Sequence, residues 1–419
     1  MNRHLLLSCM LISLALVVQA EQSFEFSGFG NIGAVYNDST FYTFRQGTNQ
    51  ENDVLKDEVD FGALSTLGLQ IDYSANSSFN FAYQAVFTEQ NGLTIEDLTQ
   101  LAFIAYTPNS NWALRLGRTA FDLFLLSDYR DVKFGLPWSH TPIETYGFVP
   151  YRFIDGMDAR YTTQFENFTL STKAFFGQSQ SEFNISRGFN PFELDFKKGL
   201  GFSIDLQGDQ WLFAVKYADV NLENEITGGL IYGINTLVQS VPNFENLIWP
   251  SALAFTEELG TIDATTIYWS AGGRYDFPKI SIISEISQVD SFATAVPKLN
   301  SAYISAIYYV SDYSFYSTFS FSNADKPTTD NANFNRDLLA SINPGILKAT
   351  DAQLAFNSDQ KTFSLGWRWD FLDNVALTLQ WDHVIIGSRG SDFPLRPVSV
   401  FNQPDDEFNN MFVDVSFIF

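Results

Sequence analysis

The sequence has little of what thiol enzymes, metalloenzymes and nucleic-acid-binding proteins depend on. Of its 419 residues, one is cysteine and three are histidine. No metal-ligand spacing and no phosphate-cradling glycine loop occurs, so we predict neither a metal site nor a cofactor. Basic residues are scarce too, because 24 Lys and Arg stand against 48 Asp and Glu, a formal charge of −24. A balance this acidic excludes nucleic acid as a partner.

Residues 1–20 have the composition of a secretory signal peptide. Arg3 and His4 precede an apolar run at 5–18, and Val-Gln-Ala at 18–20 offers a small-residue cleavage site. The lone cysteine falls inside this segment, so the mature chain, 21–419, would have no disulfide or thiol chemistry. Loss of Arg3 leaves 23 basic residues against 48 acidic ones, a formal charge of −25. An acidic surface or lumen attracts cations.

After residue 20, no apolar run approaches the roughly 18 to 20 residues that a membrane helix needs. The pattern instead alternates with period two, which is typical of strands with one apolar face. In the last segment, Val413, Val415, Phe417 and Phe419 fall on one side and Asp414 on the other. Sixteen such segments follow one another, and seven short turns alternate with eight longer connections. Soluble sandwiches have no reason to sort loop lengths this way, so the order predicts an all-β, antiparallel transmembrane barrel.

The polar residues of these segments predict a wide, wet interior. Aromatic residues make up 16% of the chain and flank the short turns, as in the girdles of membrane barrels. A barrel of about 16 strands leaves an aqueous channel, whereas one of about 8 fills with its own side chains. Alternate residues of a strand share a face, so the polar residues that alternate with the apolar ones are predicted to face inward. They are Gln70, Asp72, Gln84, Asp158, Arg160, Lys173, Asp205, Lys216, Arg274, Glu285, Arg368, Gln380, Asp382 and Asp414.

Two long connections differ in composition. The first, which runs to about Asp60, is polar, and we predict a long loop there. The connection after the fifth strand, 120–152, is instead rich in apolar side chains such as Phe121, Phe124, Trp138 and Phe148. Such side chains need a surface to pack on, and within a wide barrel that surface is the inner wall. We therefore predict that 120–152 folds inward.

The closing strand with its terminal aromatic and the inward connection after strand five together resemble the porins of Gram-negative outer membranes. That resemblance implies a porin in the cell outer membrane, not an enzyme, for passive diffusion of small hydrophilic solutes or ions. It also implies a homotrimer surrounded by membrane lipid and lipopolysaccharide. The barrel assembly machinery would read the closing strand through Val413, Val415, Phe417 and Phe419.

The resemblance extends to a charged constriction. In general diffusion porins, acidic residues on the inward loop face a basic cluster on the wall. By analogy the acidic side is Asp122, Asp128, Asp131 and Glu144, and the basic side is Arg115, Arg160, Arg274 and Arg368. The general-porin motif Pro-Glu-Phe-Gly-Gly is missing, and the chain is more similar to porin-like proteins with Arg-Leu-Gly-Arg, Ser-Asp-Tyr-Arg-Asp-Val and Pro-Trp, here at 115–118, 127–132 and 137–138. The overall charge predicts a cation preference, although a ring of arginines at the narrowest section would invert it locally.

Several residues have two readings. Arg130 and Arg152 either pin the loop through its own carboxylates or act in permeation. Trp138 is a packing anchor or a platform for a ligand. The connection 220–263, whose apolar residues are spaced like one face of a helix, either caps the pore or packs on a neighbouring subunit.

Two other functions remain open at this stage. Long acidic surface loops suit a structural or adhesive role equally well. A barrel hydrolase would have only His140 and His383 as general bases in the mature chain. Ser139 adjoins His140 in sequence, but catalytic triads assemble in space, so this adjacency is no evidence for a nucleophile pair.

Overall fold

The computed structural model describes residues 22–50, 52–89, 94–183, 192–223, 226–259, 264–291, 298–324, 331–355, 358–391, 395–397 and 404–419. The predicted signal peptide, 1–20, lies outside the described residues. Long antiparallel strands dominate the part of the chain that is described, and they follow the period-two pattern of the sequence.

Sixteen strands form the wall of one closed barrel, as predicted. In chain order they are β1 (Ser23–Asn37), β2 (Thr66–Ser74), β3 (Phe79–Thr88), β4 (Thr99–Asn109), β5 (Trp112–Ala120), β6 (Phe153–Gln164), β7 (Thr169–Phe183), β8 (Phe192–Gln207), β9 (Trp211–Glu223), β10 (Ala264–Asp276), β11 (Ile280–Ser291), β12 (Leu299–Val310), β13 (Tyr313–Ala324), β14 (Ser358–Leu372), β15 (Val375–Ser391) and β16 (Asp406–Ile418). Several strands are longer than the stretch of alternating apolar and polar residues that predicts them. In β7, for example, pairing continues through the polar stretch 177–182, because a ladder needs backbone partners rather than apolar side chains.

The barrel closes where β16 pairs with β1. The two strands are antiparallel, with Phe29 opposite Ile418 and Asn37 opposite Asn410. On the outer face, an added Cβ at Gly30 would lie 2.4 Å from the Phe417 ring, so glycine leaves the space that this ring occupies. The seam is therefore closed by backbone pairing and by aromatic rings of β16 that lie over glycine positions of β1.

The two faces of the wall differ sharply in polarity. On β13, Tyr313, Phe315 and Phe319 point outward and are exposed, whereas Ser314 and Thr318 point inward and are buried. The same alternation runs around the barrel. An apolar outer face and a polar inner face are what a lipid bilayer requires of a barrel.

Helices occur only in the longer connections of the described chain. They are α1 (Ile95–Leu98), α2 (Ile143–Tyr146), α3 (Ile226–Ser240), α4 (Phe244–Leu247), α5 (Ala252–Leu259), α6 (Arg336–Ile342) and α7 (Pro344–Ala355), with a 3-10 turn at Lys133–Gly135. None of the helices within the described ranges combines the length and the apolar character needed to traverse a bilayer.

The connections 226–259 and 331–355 form a helical layer beyond the strand ends. The apolar face predicted for the first is the buried face of α3, where Ile234 is fully buried. It packs with Trp249 and Phe255 of the same connection and with Leu339 of the other. Trp249 Nε1 also donates to Asn331 O at 2.6 Å. The connection therefore contacts another connection of its own chain.

Candidate channel constriction

The segment 121–152 lies inside the barrel, between β5 and β6. Its two ends lie side by side, because Phe121 N donates to Arg152 O at 3.1 Å. The Phe121 ring packs edge-on against Phe175 of β7, and the Phe124 ring packs against Tyr268 of β10. Its apolar side chains thus form a dry core with the inner wall, and this core occupies one side of the interior.

Hydrogen bonds attach the segment 121–152 to strands on the far side of the barrel from β5, where the segment begins. Leu125 N donates to Glu285 Oε1 of β11 at 2.9 Å. Trp138 Nε1 lies 3.0 Å from both Ser305 Oγ and Thr318 Oγ1, on β12 and β13. Trp138 is 2% exposed, so its indole is held as a packing anchor.

Asp122 is bound by two ammonium groups of the wall. Its carboxylate lies 2.6 Å from Lys216 Nζ and 3.2 Å from Lys173 Nζ, and it accepts from Ser203 Oγ at 2.9 Å. Burial disfavours its charged form, but Lys173 and Lys216 outweigh burial, so the pKa of Asp122 lies below its ordinary value. This carboxylate therefore holds the start of the segment on β7, β8 and β9.

Glu144 anchors the other half of the segment on β13 and β14. It is 1% exposed and accepts hydrogen bonds from Ser320 Oγ at 2.7 Å and Gln360 Nε2 at 2.5 Å. Thr362 Oγ1 donates to the same carboxylate. Three donors stabilise a buried carboxylate that would otherwise be costly to desolvate.

Arg368 binds the middle of the segment through its backbone. Its guanidinium donates to Leu136 O at 2.5 Å and to Phe134 O at 2.8 Å, and it pairs with Asp370 at 2.9 Å. Arg274 on β10 pairs with Asp276 of the same strand at 2.7 Å. Of these two predicted wall residues, Arg368 acts on the inward segment directly.

Arg115 and Arg160 lie on the opposite side of the interior, on β5 and β6. Arg115 contacts Asp158 at 2.9 Å, and Arg160 lies 3.5 Å from Asp128 of the inward segment. The side chains of Arg160 and Asp128 are 29% and 39% exposed. This pair joins the wall to the inward segment where solvent still reaches both.

The remaining predicted acid, Asp131, pairs with Arg152 within the segment. Arg130 Nη2 donates to Tyr151 O at 3.1 Å. Both arginines therefore make contacts that pin the segment to itself, one of the two readings left open by the sequence.

A second connection, 38–65, also enters the barrel, where most of its residues from 42 to 50 are buried. Phe44 is fully buried, and its ring centroid is 5.0 Å from that of Phe412 on β16. Thr48 N donates to Gly147 O of the first segment at 2.9 Å. The sequence predicts only a long polar loop here, and the signal for its inward position is the short aromatic cluster at 41–44.

The two histidines considered for a hydrolase, His140 and His383, make hydrogen bonds to other residues of the barrel. His140 is 3% exposed, with Nε2 2.9 Å from Asp382 Oδ2 and Nδ1 2.8 Å from Thr141 O. His383 Nδ1 lies 3.2 Å from Asn409 Oδ1. Because both ring nitrogens of His140 contact protein oxygens, its geometry offers no activated hydroxyl.

Solvent reaches the interior along β2 to β6. Inward side chains of these strands such as Gln70, Gln84 and Phe103 are half-buried, whereas inward residues of β10 to β15, such as Ser270 and Gln380, are buried. Gln84 Nε2 donates to Gln70 Oε1 at 2.7 Å. The free interior is therefore bordered by this wall on one side and by the face of 121–152 that carries Asp128 on the other.

Comparisons with known proteins agree on the architecture. No protein-family model matches the sequence, and no curated protein does. Among solved structures, the anion-selective porin from Comamonas acidovorans is 12% identical with a TM-score of 0.54, covering 95% of this chain and 100% of that one. Salmonella typhi OmpF in complex with daunomycin is 11% identical with a TM-score of 0.56, covering 96% and 100%. OmpT, an outer membrane protein of Vibrio cholerae in a trimer form, is 11% identical with a TM-score of 0.51, also covering 96% and 100%. The chain has the fold of the porin-like outer-membrane β-barrels.

Proposed function

We propose that this chain is an outer-membrane channel through which small hydrophilic solutes diffuse passively, with a preference for cations. The observation that carries the proposal is the solvated interior along β2 to β6 of a sixteen-stranded barrel. Barrels of this size leave room for water. An apolar outer face that needs a bilayer supports the membrane location.

The charges of the interior support the cation preference. Each wall arginine of the predicted constriction has a carboxylate within ion-pair distance: Arg115 with Asp158, Arg160 with Asp128, Arg274 with Asp276 and Arg368 with Asp370. A nearby opposite charge cancels most of the field of each arginine. Glu25 and Asp72 lie opposite each other on β1 and β2, face inward, and have no ion pair in the part of the chain that is described. The surplus is therefore negative, which favours cations.

The eight predicted constriction residues fall into two proposed roles. Arg115, Arg160, Asp128 and Asp131 border the solvated path and would act on solutes directly. The others, which are Asp122, Glu144, Arg274 and Arg368, would fix the position of the inward segment or balance wall charges. The narrowest point is proposed beside the Asp128 and Arg160 pair, because this contact between segment and wall leaves both side chains partly exposed to solvent.

Planar-bilayer recording of the purified protein tests this function. We expect stepwise conductance and, in a KCl gradient, a reversal potential that favours K⁺. A unit charge at 4 Å contributes about 1 kcal/mol in water, so Glu25→Gln and Asp72→Asn should each lower the cation-to-anion permeability ratio by up to about fivefold. Asp290→Asn, which removes a carboxylate paired with Lys298 at 2.8 Å, is the matched control. An anion-favouring reversal potential would overturn the charge argument, and a lack of conductance would overturn the channel.

The assembly state and partners are also proposals. We propose a homotrimer in lipid and lipopolysaccharide, and the trimer form of the similar Vibrio cholerae protein supports it. The outer face of β1 would contribute to the contact, since Ile32 there is 64% exposed beside small residues. The outward residues Val413, Val415, Phe417 and Phe419 would be read by the assembly machinery after residues 1–20 are removed. Native electrophoresis of Ile32→Arg should show monomers if this face carries the contact.

A further inference from the structure

A small buried cavity lies behind the inward segment, between residues 138–144 and the inner faces of β13, β14 and β15. Its volume is about 10 Å³, and a polar space of roughly 10 to 15 Å³ holds one species of the size of a water molecule. The buried side chains that line it include Trp138, His140 and Glu144 of the segment and Thr318, Ser364 and Gln380 of the wall. The segment and the wall therefore enclose a polar space between them.

Ser364 of β14 lines this cavity with an unpartnered hydroxyl. The residue is 5% exposed, and within the described ranges its side chain makes no hydrogen bond. The hydroxyl of Thr318, directly opposite on β13, is already engaged, because its Oγ1 lies 2.7 Å from Ser305 Oγ and 3.0 Å from Trp138 Nε1. A buried hydroxyl without a partner is costly, so Ser364 points to an occupant of the cavity.

Glu144 lines the same cavity with a carboxylate whose acceptor sites are not all used. A carboxylate has about four such sites. Oε1 accepts from Gln360 Nε2 and Thr362 Oγ1, and Oε2 accepts from Ser320 Oγ at 2.7 Å. Among the contacts of the described residues, one acceptor site of Oε2 thus remains for the cavity.

The protein around Glu144 does not balance its charge. Its three donors are neutral, and no Lys or Arg of the described chain lies within ion-pair distance of its carboxylate. His140 also lines the cavity, but its Nε2 lies 2.9 Å from Asp382 Oδ2, so a proton on this ring would balance Asp382 instead. Burying a carboxylate without a counterion is costly, and a water molecule would leave the charge unbalanced. A cation in the cavity would balance it.

We propose that this cavity binds one dehydrated monovalent cation of about the size of a water molecule, for which K⁺ is the probe. Glu144 Oε2 and Ser364 Oγ are its assigned ligands, and the hydroxyl oxygens of Ser320 and Thr362, which also line the cavity, add to the oxygen shell. Divalent cations fit less well, since Ca²⁺ takes about six to eight oxygen ligands and Mg²⁺ retains several waters. The ion would link the inward segment to β13 and β14 from behind, outside the solvated path, so the inference does not depend on conductance.

Thermal unfolding of the full-length mature protein in detergent tests the site. The melting temperature, Tm, is compared in KCl and in N-methyl-D-glucamine chloride at equal ionic strength, because this organic cation is too large for the cavity. K⁺ at about a hundredfold its dissociation constant should raise Tm by about 3 °C, and the rise should saturate as K⁺ replaces the organic cation. Crystals soaked in thallium(I) nitrate, which supplies a heavier monovalent cation, should show an anomalous-scattering peak within the cavity.

Substitutions separate ion binding from packing. Ser364→Ala removes a ligand that makes no hydrogen bond to the described chain, so it should reduce the K⁺-dependent rise in Tm by at least half and remove the thallium peak. Ser314→Ala, the matched control, removes a buried inward hydroxyl of β13 that does not line the cavity, and it should leave the rise unchanged. Glu144→Gln, which keeps the shape and removes the charge, should abolish the rise.

Three results would each show that water alone fills the cavity and would overturn the proposal. They are the same Tm in both salts, an equal rise in Ser364→Ala and in the native protein, and a cavity without a thallium peak. Because Ser364→Ala breaks no hydrogen bond of the described chain, the test stands even where Glu144→Gln fails to fold. Any of these results leaves the proposed channel intact, whereas K⁺ stabilisation of a barrel that does not conduct would refute the channel alone.

Discussion

At the scale of residues, the interior is organised by buried charges that hold the inward segment. The sequence identifies Asp122 as a candidate residue because it lies on that segment. The sequence does not identify the residues that Asp122 pairs with. Lys173 and Lys216 come from strands 51 and 94 residues away, and their approach depends on how far the segment crosses the barrel. Parity along a strand predicts that a lysine points inward. It does not predict which carboxylate the lysine meets.

Replacing Asp122 by Asn is expected to destabilise the barrel strongly. The change leaves the buried Lys173 without the carboxylate it pairs with and leaves Lys216 with only Asp205, at 3.2 Å, and breaking a buried ion pair costs about 3 to 5 kcal/mol. The free energy of unfolding in urea, with the protein in detergent, measures the loss. Asp128→Asn, which removes a half-exposed partner, should cost less than about 1 kcal/mol. Equal losses in the two variants would contradict the anchoring role.

The stability lost in Asp122→Asn should depend on pH, and the depressed pKa of Asp122 fixes the direction of that dependence. Because the pKa of Asp122 is depressed in the folded state, its contribution is fully present above the unfolded value of about 3.9. That contribution is lost as the pH falls through the lower, folded value. The stability difference between the native protein and Asp122→Asn should thus stay constant from pH 7 to about 4.5 and shrink below pH 4. A difference that already shrinks near pH 6 would rule out this assignment.

At the scale of elements, two connections enter the barrel and the sequence identified one of them. The segment 121–152 was recognisable because its phenylalanines and Trp138 require burial. The segment 38–65 was not, since its apolar residues are interspersed among polar ones, and some of those polar residues also make interior contacts, such as Thr48 N with Gly147 O. A polar segment can lie in a polar interior as readily as in bulk water, so composition alone does not distinguish the two.

Arg368→Met should loosen the segment 121–152 without disturbing the wall. The arginine donates to the carbonyl oxygens of Phe134 and Leu136, and methionine keeps much of its volume while removing both donors. Single-channel recordings should show larger current fluctuations than those of the native protein, with an increased mean conductance. Arg274→Met is the control, because Arg274 pairs with Asp276 on its own strand. Identical fluctuations in both variants would place the segment's anchorage elsewhere.

At the scale of the whole molecule, the barrel was predictable because each strand repeats one physical rule. An apolar outer face alternates with a polar inner face, and every short turn returns the chain to the next strand. The helical layer formed by 226–259 and 331–355 was only partly predictable, since the periodicity of α3 indicates a buried face but does not name what buries it. Some of the covering residues come from a connection that begins about ninety residues after α3 ends.

Salt concentration separates two sources of cation preference, the overall charge of the molecule and the interior carboxylates Glu25 and Asp72. Screening lengths fall from about 10 Å at 0.1 M to about 3 Å at 1 M salt, so distant surface acids lose their influence on a permeating ion. Glu25 and Asp72 face the interior, where a permeating ion would pass close to them if the proposed function holds. Reversal potentials measured at both salt concentrations should therefore retain a cation preference at 1 M, smaller than at 0.1 M. In a Glu25→Gln, Asp72→Asn double variant, the preference at 1 M should vanish while part of that at 0.1 M persists. If the native preference also vanishes at 1 M, selectivity comes from the overall charge of the mature chain, −25, rather than from the interior pair.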